Sequence, residues 1–469
     1  MKHYSRGLWA FAWVITAYVW ALPSMAQEQN EQAPKPAAQY SPLFGPSDTE
    51  QDAAANTDTL QADNRPLSGV QNPTVGNPES RHSYWVPGIQ YSNTTRSNSL
   101  VGTNSGWNAT NFVSTNLSLL ESWSHSTLSA NYSGGGYFST DTVQGHGEFQ
   151  QLAANYELDG RRWQVFLIDQ FSYLPESSFG FGGGSGLASP GVSGALAVPV
   201  ANLQTSYVPG QTNFAVGPEY SNSSSAQFTY KASARGSVTV AGVYGILRFV
   251  NSGNINSDME TGVLGYDYAV TRKDAVGVSY HFGAYRYPGA PQALGDQVIH
   301  VEYGRKITGR MGLKLSAGPE ITSFRIPIAN LRRTTSGSGS ASLTYAFGPG
   351  TSLEVHYMHG LSSGSGVFTG AVADQLSATI FKQLTRVWNG NLNFGYGRNS
   401  QIVAIAGSSQ FDSWFWGAGL SRSVGHMTNL FCGYQVQIQT GYATPGSANN
   451  TVHQIFVSFQ WHSRPFVLR

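Results

Sequence analysis

Cysteine is almost absent from this chain, and Cys432 is the single example in 469 residues. One cysteine cannot form a disulfide within the chain, so the fold must be stable without one. Charged side chains are also scarce, at 11% of the residues against about 25% in an average soluble domain. After residue 26, no stretch reaches the roughly 18 apolar residues that mark a membrane helix. These deficits argue against a helical inner-membrane protein and against a soluble domain with an ordinary charged surface.

Glycine and aromatic residues are plentiful instead, at 54 residues and 13% of the chain. A transmembrane β-barrel uses such a mixture, because its outer face is apolar and aromatic while its inner face is polar. A closed barrel needs no disulfide, since every strand is hydrogen-bonded on both sides. The formal net charge of +1 offers no attraction to nucleic acid, and we expect no nucleic-acid partner.

Two segments precede the region with strand patterning. Residues 1–26 are typical of a signal peptide: Lys2 and Arg6 are positive, residues 8–22 are apolar, and Ser24 and Ala26 are small residues for cleavage. This apolar stretch falls short of the roughly 20 residues of a membrane helix, so we expect its removal. Residues 27–80 are rich in Gln, Ala, Pro, Asn and Asp, which predicts a disordered periplasmic leader. The alternative is that this leader plugs the barrel mouth.

From Tyr84 onward, apolar and polar residues alternate with period two, as in strands with one apolar and one polar face. In residues 352–358, Leu353, Val355 and Tyr357 lie on one side, against Glu354 and His356 on the other. Tight polar turns are predicted near residues 122–125, 159–161, 235–236, 272–274, 308–310, 348–350, 385–386 and 425–426. Longer loops are predicted near residues 93–108, 134–145, 173–222, 251–258, 288–295, 327–336, 362–370, 399–409 and 440–450.

Short turns that alternate with long loops are typical of outer-membrane barrels, whose short turns face the periplasm. The fold class predicted for residues 81–469 is therefore all-β, as a transmembrane antiparallel up-and-down β-barrel of about 18 strands. Sixteen strands also fit the pattern, because strand ends inferred from sequence are uncertain by about two to four residues.

Residues 84–461 resemble the bacterial outer-membrane porins. In the last strand, residues 454–461, Gln454 leads and Phe459 and Trp461 close, which looks like the C-terminal signal for the barrel-assembly machinery. Phe456 departs from the glycine that is common there, and residues 462–469 extend past the usual final aromatic. The resemblance implies a lipid-embedded channel in the outer membrane. It also implies that the third loop, residues 173–222, folds inward and narrows the pore, although a mobile surface loop fits its Gly-rich sequence equally well.

If the apolar side of each strand faces lipid, a polar set remains for the lumen. Its sixteen members are mixed in charge and rich in amides: Asn116, Thr229, Asp267, His281, His300, Glu302, Lys314, Ser316, Glu354, His356, Asn389, Asn391, Asn393, Gln435, Gln437 and Gln439. Anion pores carry rings of Arg and Lys, which this set lacks. We therefore predict passive diffusion of small, mainly neutral polar solutes. The simpler interpretation is that these residues only solvate the wall.

Two strands place a histidine and a carboxylate two residues apart on one face: His300 with Glu302, and His356 with Glu354. A metal site needs further ligands, and we interpret both pairs as polar lumen residues. No catalytic motif appears outside the signal segment, so the sequence predicts neither an enzyme nor a cofactor. Two alternatives stay open: a plugged barrel for secretion or surface attachment, and a barrel hydrolase. The sequence leaves the oligomeric state open, a homo-oligomer included.

Overall fold

A computed structural model of the chain describes residues 83–98, 105–140, 145–174, 218–250, 253–348, 350–364, 366, 368–403, 410–425, 427–442, 450–464 and 466–468. The proposed signal peptide and leader, and most of the third loop, lie outside these residues. Within them, no helix has the length and apolar character needed to cross a membrane.

The described residues form β-strands joined by turns and loops. In chain order the strands are β1 Ser83–Asn98, β2 Ser105–Ser122, β3 Ser126–Ser139, β4 His146–Asp159, β5 Trp163–Leu174, β6 Glu219–Lys231, β7 Gly236–Phe249, β8 Ser257–Ala269, β9 Asp274–Arg286, β10 Ala293–Thr308, β11 Met311–Ile328, β12 Leu331–Gly348, β13 Thr351–Ser362, β14 Ala371–Gln383, β15 Trp388–Ser400, β16 Gln410–Ser423, β17 Thr428–Tyr442, β18 Asn450–His462 and the short β19 Phe466–Leu468.

The strands close into a single antiparallel barrel. Each of β1 to β18 pairs with its neighbours in sequence, and β1 also pairs with β18, for example Gln90 with Gln460. The short β19 continues past β18 and pairs with the start of β1, so the C-terminal extension prolongs the closing seam. Closure satisfies the backbone groups of both terminal strands and leaves no open edge. The predicted fold class and strand number are therefore confirmed.

The alternation along each strand separates an outer from an inner face. On β9, Val278, Tyr280 and Phe282 are 54%, 41% and 45% exposed, whereas Ser279 and Tyr285 between and beyond them are buried. Cross-strand partners repeat this division, because directly opposed residues share a face. The exposed face is apolar and aromatic around the barrel, and the opposite face carries most of the buried polar side chains.

The two ends of the barrel differ in their connections. At one end, here called the turn end, eight connections of two to four residues join the strands, and all eight were predicted from the sequence. The other end, the loop end, carries the nine remaining connections. The predicted loop at 327–336 is wrong, because β11 and β12 run on as a hairpin closed by Ala329 and Asn330. Both turn residues have positive φ, 49° and 65°, as a two-residue type I′ turn requires. The loops predicted at 93–108 and 134–145 are likewise shorter than expected, because strands extend into them.

Candidate functional site: the inner wall and a strap across it

The structure places all sixteen predicted lumen residues on the inner face of the barrel. Strand pairing shows this, since each shares a cross-strand row with other inner residues, as Asp267 does with Ser237 and Gly277. Two regions of the wall differ in chemistry. We call the inner face of β8–β13 the ionisable wall; its predicted members are Asp267, His281, His300, Glu302, Lys314, Ser316, Glu354 and His356. We call the inner face of β15–β18, β1 and β2 the amide wall; its predicted members are Asn389, Asn391, Asn393, Gln435, Gln437, Gln439 and Asn116.

Ser279 connects a carboxylate and an imidazole on the ionisable wall. Its hydroxyl donates to Glu302 on the neighbouring strand, and its oxygen lies 2.9 Å from His281 Nε2. A hydroxyl has one hydrogen to donate, so His281 Nε2 must carry the hydrogen of the second bond. In a nucleophilic Ser–His pair the imidazole accepts the serine proton instead. The contact therefore has the opposite polarity to a catalytic pair.

His300 extends this network to the next strands. Its ring centroid lies 5.2 Å from that of His281, and its Nε2 lies 2.8 Å from Ser338 Oγ on β12. The side chain crosses β11 at Gly318, where a Cβ atom would lie 1.7 Å from the Ile299 carbonyl oxygen. Glycine is therefore required at residue 318, because any side chain there would collide with the adjacent backbone.

The amide wall is held by bonds between neutral side chains. Gln435 Nε2 donates to Gln454 Oε1 at 2.5 Å across β17 and β18. Across the closing seam, Gln90 Nε2 donates to Ser458 Oγ at 2.9 Å, and Asn116 Nδ2 reaches Gln90 Oε1 at 3.3 Å. These bonds fix the side chains of the seam and join only neutral groups.

The asparagines of β15 lie beside glycines on β16. Asn391 is directly opposite Gly419 and Asn393 is opposite Gly417. A Cβ at Gly419 would lie 2.4 Å from Asn391 Oδ1, so the amide occupies space that a side chain on β16 would fill. The small residues of one strand thus make room for the polar side chains of the next.

The two predicted histidine and carboxylate pairs do not form a metal centre. His300 bonds to Ser338, and Glu302 accepts the hydroxyl of Ser279. Across the described ranges, no three His, Cys, Asp or Glu side chains are grouped so that they could hold a metal ion. Both pairs lie on the inner wall as single polar residues.

A strap from the loop between β13 and β14 lies inside the loop end of the barrel. We define the strap as residues 361–364, 366 and 368–371. Pairing of β12 with β13 ends at Gly339 with His359, whereas β13 and β14 stay paired up to Ser362 with Ala371. The end of the β13–β14 hairpin therefore separates from β12. Leu361, which alternation predicts to face outward, is buried, at 2% exposure.

Glu320 on β11 holds the start of the strap. Its Oε1 accepts the Leu361 backbone N–H at 3.0 Å, and its Oε2 accepts Ser336 Oγ at 3.1 Å. The carboxylate replaces the backbone acceptor that β12 would supply if the strands were still paired. Further along, Gly366 O accepts the Ile255 N–H at 2.7 Å, from the loop between β7 and β8. The strap thus connects β13 with the wall five strands away.

Apolar side chains of the inner wall pack against the strap. Leu361 packs in a buried cluster with residues of β7–β11: Val243, Met259, Tyr285, Tyr287, Leu294 and Phe324. At its other end Phe368 packs against Phe411, with ring centroids 5.6 Å apart. Burial in this cluster raises the pKa of Tyr287, which lies in the loop after β9, far above its usual range. The strap is therefore packed like a core element.

Sequence reasoning missed Asp296 and Glu320, which are 7% and 2% exposed on the inner face of β10 and β11. The sequence did contain a signal for their facing. Asp296 lies four residues before His300, and Glu320 lies four residues after Ser316, so period-two alternation puts each of them on the same face as a predicted lumen residue. The inward path of the strap had no such signal, since it depends on where β13 leaves β12. The expected constriction by residues 173–222 falls mostly outside the described residues, whereas the seventh loop carries the strap that packs against the inner wall.

No known family model matches the chain, and no curated protein matches it. Solved structures that are similar include Pseudomonas aeruginosa OccK9 (OpdG), with 11% identity, 81% of this chain and 98% of that chain covered, and a TM-score of 0.41. The outer membrane protein OpdK of the same species has 9% identity, coverage of 81% and 99%, and a TM-score of 0.40. A BenF-like porin from Pseudomonas fluorescens Pf-5 has 10% identity, coverage of 82% and 99%, and a TM-score of 0.41.

Proposed function

We propose that this chain is an outer-membrane channel for the passive diffusion of small, mainly neutral polar solutes. One observation carries the proposal: a closed barrel whose outer face is apolar and whose inner face is polar. An apolar exterior suits lipid, and a polar interior suits water and dissolved solutes. A soluble barrel would need the reverse arrangement.

The chemistry of the wall supports the neutral class of solute. Apart from Arg96 near the loop end of β1, the amide wall presents donors and acceptors without charge, which suits hydroxyl-bearing molecules. The ionisable wall carries Lys314 beside carboxylates such as Glu302 and Glu354, so neither sign forms a continuous ring. Selective ion pores concentrate one sign of charge at the constriction. A mixed wall favours uncharged polar solutes over either kind of ion.

The strap supplies the size limit in this proposal. It covers the loop end of the ionisable wall, so the passage beside it is bounded on the far side by the amide wall. Solutes that pass would contact mainly Asn, Gln and Ser side chains at this level. The alternative of a plugged barrel differs in one respect, because there the strap and the remaining loops would leave no passage.

Export and assembly follow from the same proposal. Residues 1–26 would direct secretion, residues 27–80 would remain in the periplasm, and β18 would be recognised by the barrel-assembly machinery. Phe459 and Trp461 of β18 lie on the outer face, 49% and 42% exposed, and Gln454 lies on the inner face. An aromatic outer face at the end of the last strand suits contact with both that machinery and lipid.

Conductance of the purified, folded protein in planar bilayers tests the proposal. We expect stable single channels, and swelling of protein-containing liposomes in neutral sugars at rates that fall with sugar size. A variant with residues 363–369 replaced by two glycines should conduct more and admit larger sugars. A variant with loop 443–448 shortened in the same way is the control. Absence of conductance in every form would favour the plugged barrel, and lipid or peptide hydrolysis without conductance would favour an enzyme.

A further inference from the structure

A carboxylate lies within the apolar band on the outside of the barrel. The outer face of β5 presents, from the turn end upward, Trp163, Val165, Leu167, Asp169, Phe171 and Tyr173. From Trp163 to Tyr173, ten residues at about 3.3 Å each on a strand tilted by about 40° span about 25 Å, the height of the apolar band of such barrels. Asp169 lies inside that band, with two aromatic residues above it.

Asp169 differs from the other acidic side chains of the outer face. Asp258, Asp374 and Asp412 lie within the first four residues of strands that start at the loop end. Asp258 and Asp412 form ion pairs with arginines, and Asp374 Oδ1 lies 2.7 Å from His359 Nδ1. Asp169 is the seventh residue of its strand, and in the described part of the chain no cation bridges it.

Two neutral donors on β6 reach the same oxygen of Asp169. Ser224 Oγ lies 2.5 Å and Asn222 Nδ2 lies 3.3 Å from Oδ1. The second hydrogen of the Asn222 amide goes to the Gln170 carbonyl at 3.1 Å. The donors of the cluster therefore bond to Oδ1, and the described residues donate no hydrogen bond to Oδ2.

Residues with small side chains form a line across neighbouring strands beside this cluster, here called the track. Ala154 is directly opposite Asp169 on β4. Ala226, Gly242 and Gly262 continue the track across β6, β7 and β8, each directly opposite the next. A Cβ at Gly242 or Gly262 would have its nearest neighbour at 3.8 Å or 4.0 Å, so no described residue of the chain fills the track.

We infer that the outer face of β4–β8 is where a second copy of this chain packs, around a two-fold axis along the membrane normal near Asp169. Hydrocarbon can satisfy neither the carboxylate nor the amide, and polar groups inside membranes usually face other protein. A second copy inserted in the same membrane carries its Asn222 and Ser224 at the depth of the first copy's Asp169. The polar clusters of two copies therefore lie at the same depth on either side of the axis, as an isologous interface requires.

The size of this face meets the need of a stable dimer. Five strands spaced about 4.8 Å apart and about 25 Å tall present about 600 Å² per copy, or about 1,200 Å² in total. Specific interfaces begin at about that total. Small residues suit such a contact, because close approach replaces the hydrophobic drive that is missing between surfaces in lipid. The inference rests on the membrane placement proposed above and is independent of channel activity.

Cysteine cross-linking in native membranes tests the location of the contact. Ala226 and Ala378 are outward alanines, each five residues before the end of its strand, on β6 and on the distant β14. In a Cys432→Ser background, we expect Ala226→Cys to give a homodimer with a short bifunctional thiol reagent and Ala378→Cys to give none. Equal dimer yields, or a cross-link to a different protein alone, would overturn the inference.

Substitutions at Ala226 and Asp169 test the chemistry of the contact. The measurement is the mass of the protein assembly in lipid nanodiscs or mild detergent. We expect a dimer of the wild-type chain, and loss of the dimer in Ala226→Trp, while Ala378→Trp retains it. Asp169→Leu should also reduce the dimer while leaving single-barrel conductance unchanged. A lipid-facing Asp169 predicts the opposite, a monomer throughout and a more heat-resistant barrel after Asp169→Leu. Failure of conductance with an intact dimer would overturn the channel proposal and leave this one standing.

Discussion

Replacing Glu320 with alanine tests how the strap is held. The substitution removes the acceptor of the Leu361 N–H, and β12 offers no replacement because its pairing with β13 has already ended. A buried N–H left without a partner costs about 1–3 kcal/mol. At about 1.4 kcal/mol for each tenfold change, the population of a released strap should rise about 5- to 140-fold.

Hydrogen exchange of the backbone measures this change directly. In the folded, detergent-solubilised protein, the Leu361 amide of Glu320→Ala should exchange faster by that factor. Single-channel records should show more frequent or longer high-conductance states. Ser336→Ala is the matched control, because it removes the Ser336 bond to Glu320 and keeps the acceptor for Leu361. Glu354→Gln controls for loss of charge on the same wall.

An unchanged Leu361 exchange rate in Glu320→Ala, with the barrel intact, would contradict the role given to the Glu320 carboxylate. Such a result would mean that the apolar cluster around Leu361 holds the strap without the carboxylate. A change of equal size in Ser336→Ala would assign the effect to the wall and not to the strap.

Three further outcomes are expected. Unboiled protein should migrate differently from boiled protein on a denaturing gel, since the backbone bonds of a closed barrel resist detergent; equal mobility would contradict the closed barrel. In a Cys432→Ser background, Ser316→Cys should react faster with a water-soluble thiol reagent than Leu315→Cys, and the reverse order would place the two faces wrongly. Gly318→Ala should abolish the heat-modifiable barrel, because its Cβ would lie 1.7 Å from the Ile299 carbonyl oxygen, whereas Gly312→Ala on the same strand, with open space around it, should keep the barrel.

Strand number and facing followed from local patterns. Period-two alternation predicts that adjacent residues such as Glu354 and Val355, or Leu315 and Ser316, face opposite sides of the wall. The structure puts the two members of each pair on opposite faces. The hairpin at Ala329 and Asn330 did not follow, because alanine at the first turn position lacks the preference for positive φ that a type I′ turn uses. The transported solute and the pore-lining role of the inner residues stay predictions.

The amino-acid sequence by itself determined the class of fold, the turn positions and the face of each lumen residue, because these depend on period two and on residues adjacent in the chain. Only the tertiary structure decided which distant residues meet. Leu361 reaches Glu320 because β13 separates from β12, and Asp169 gains its donors because β6 lies beside β5. Both contacts are set by the pairing of strands and by where that pairing stops, which a one-dimensional pattern does not contain.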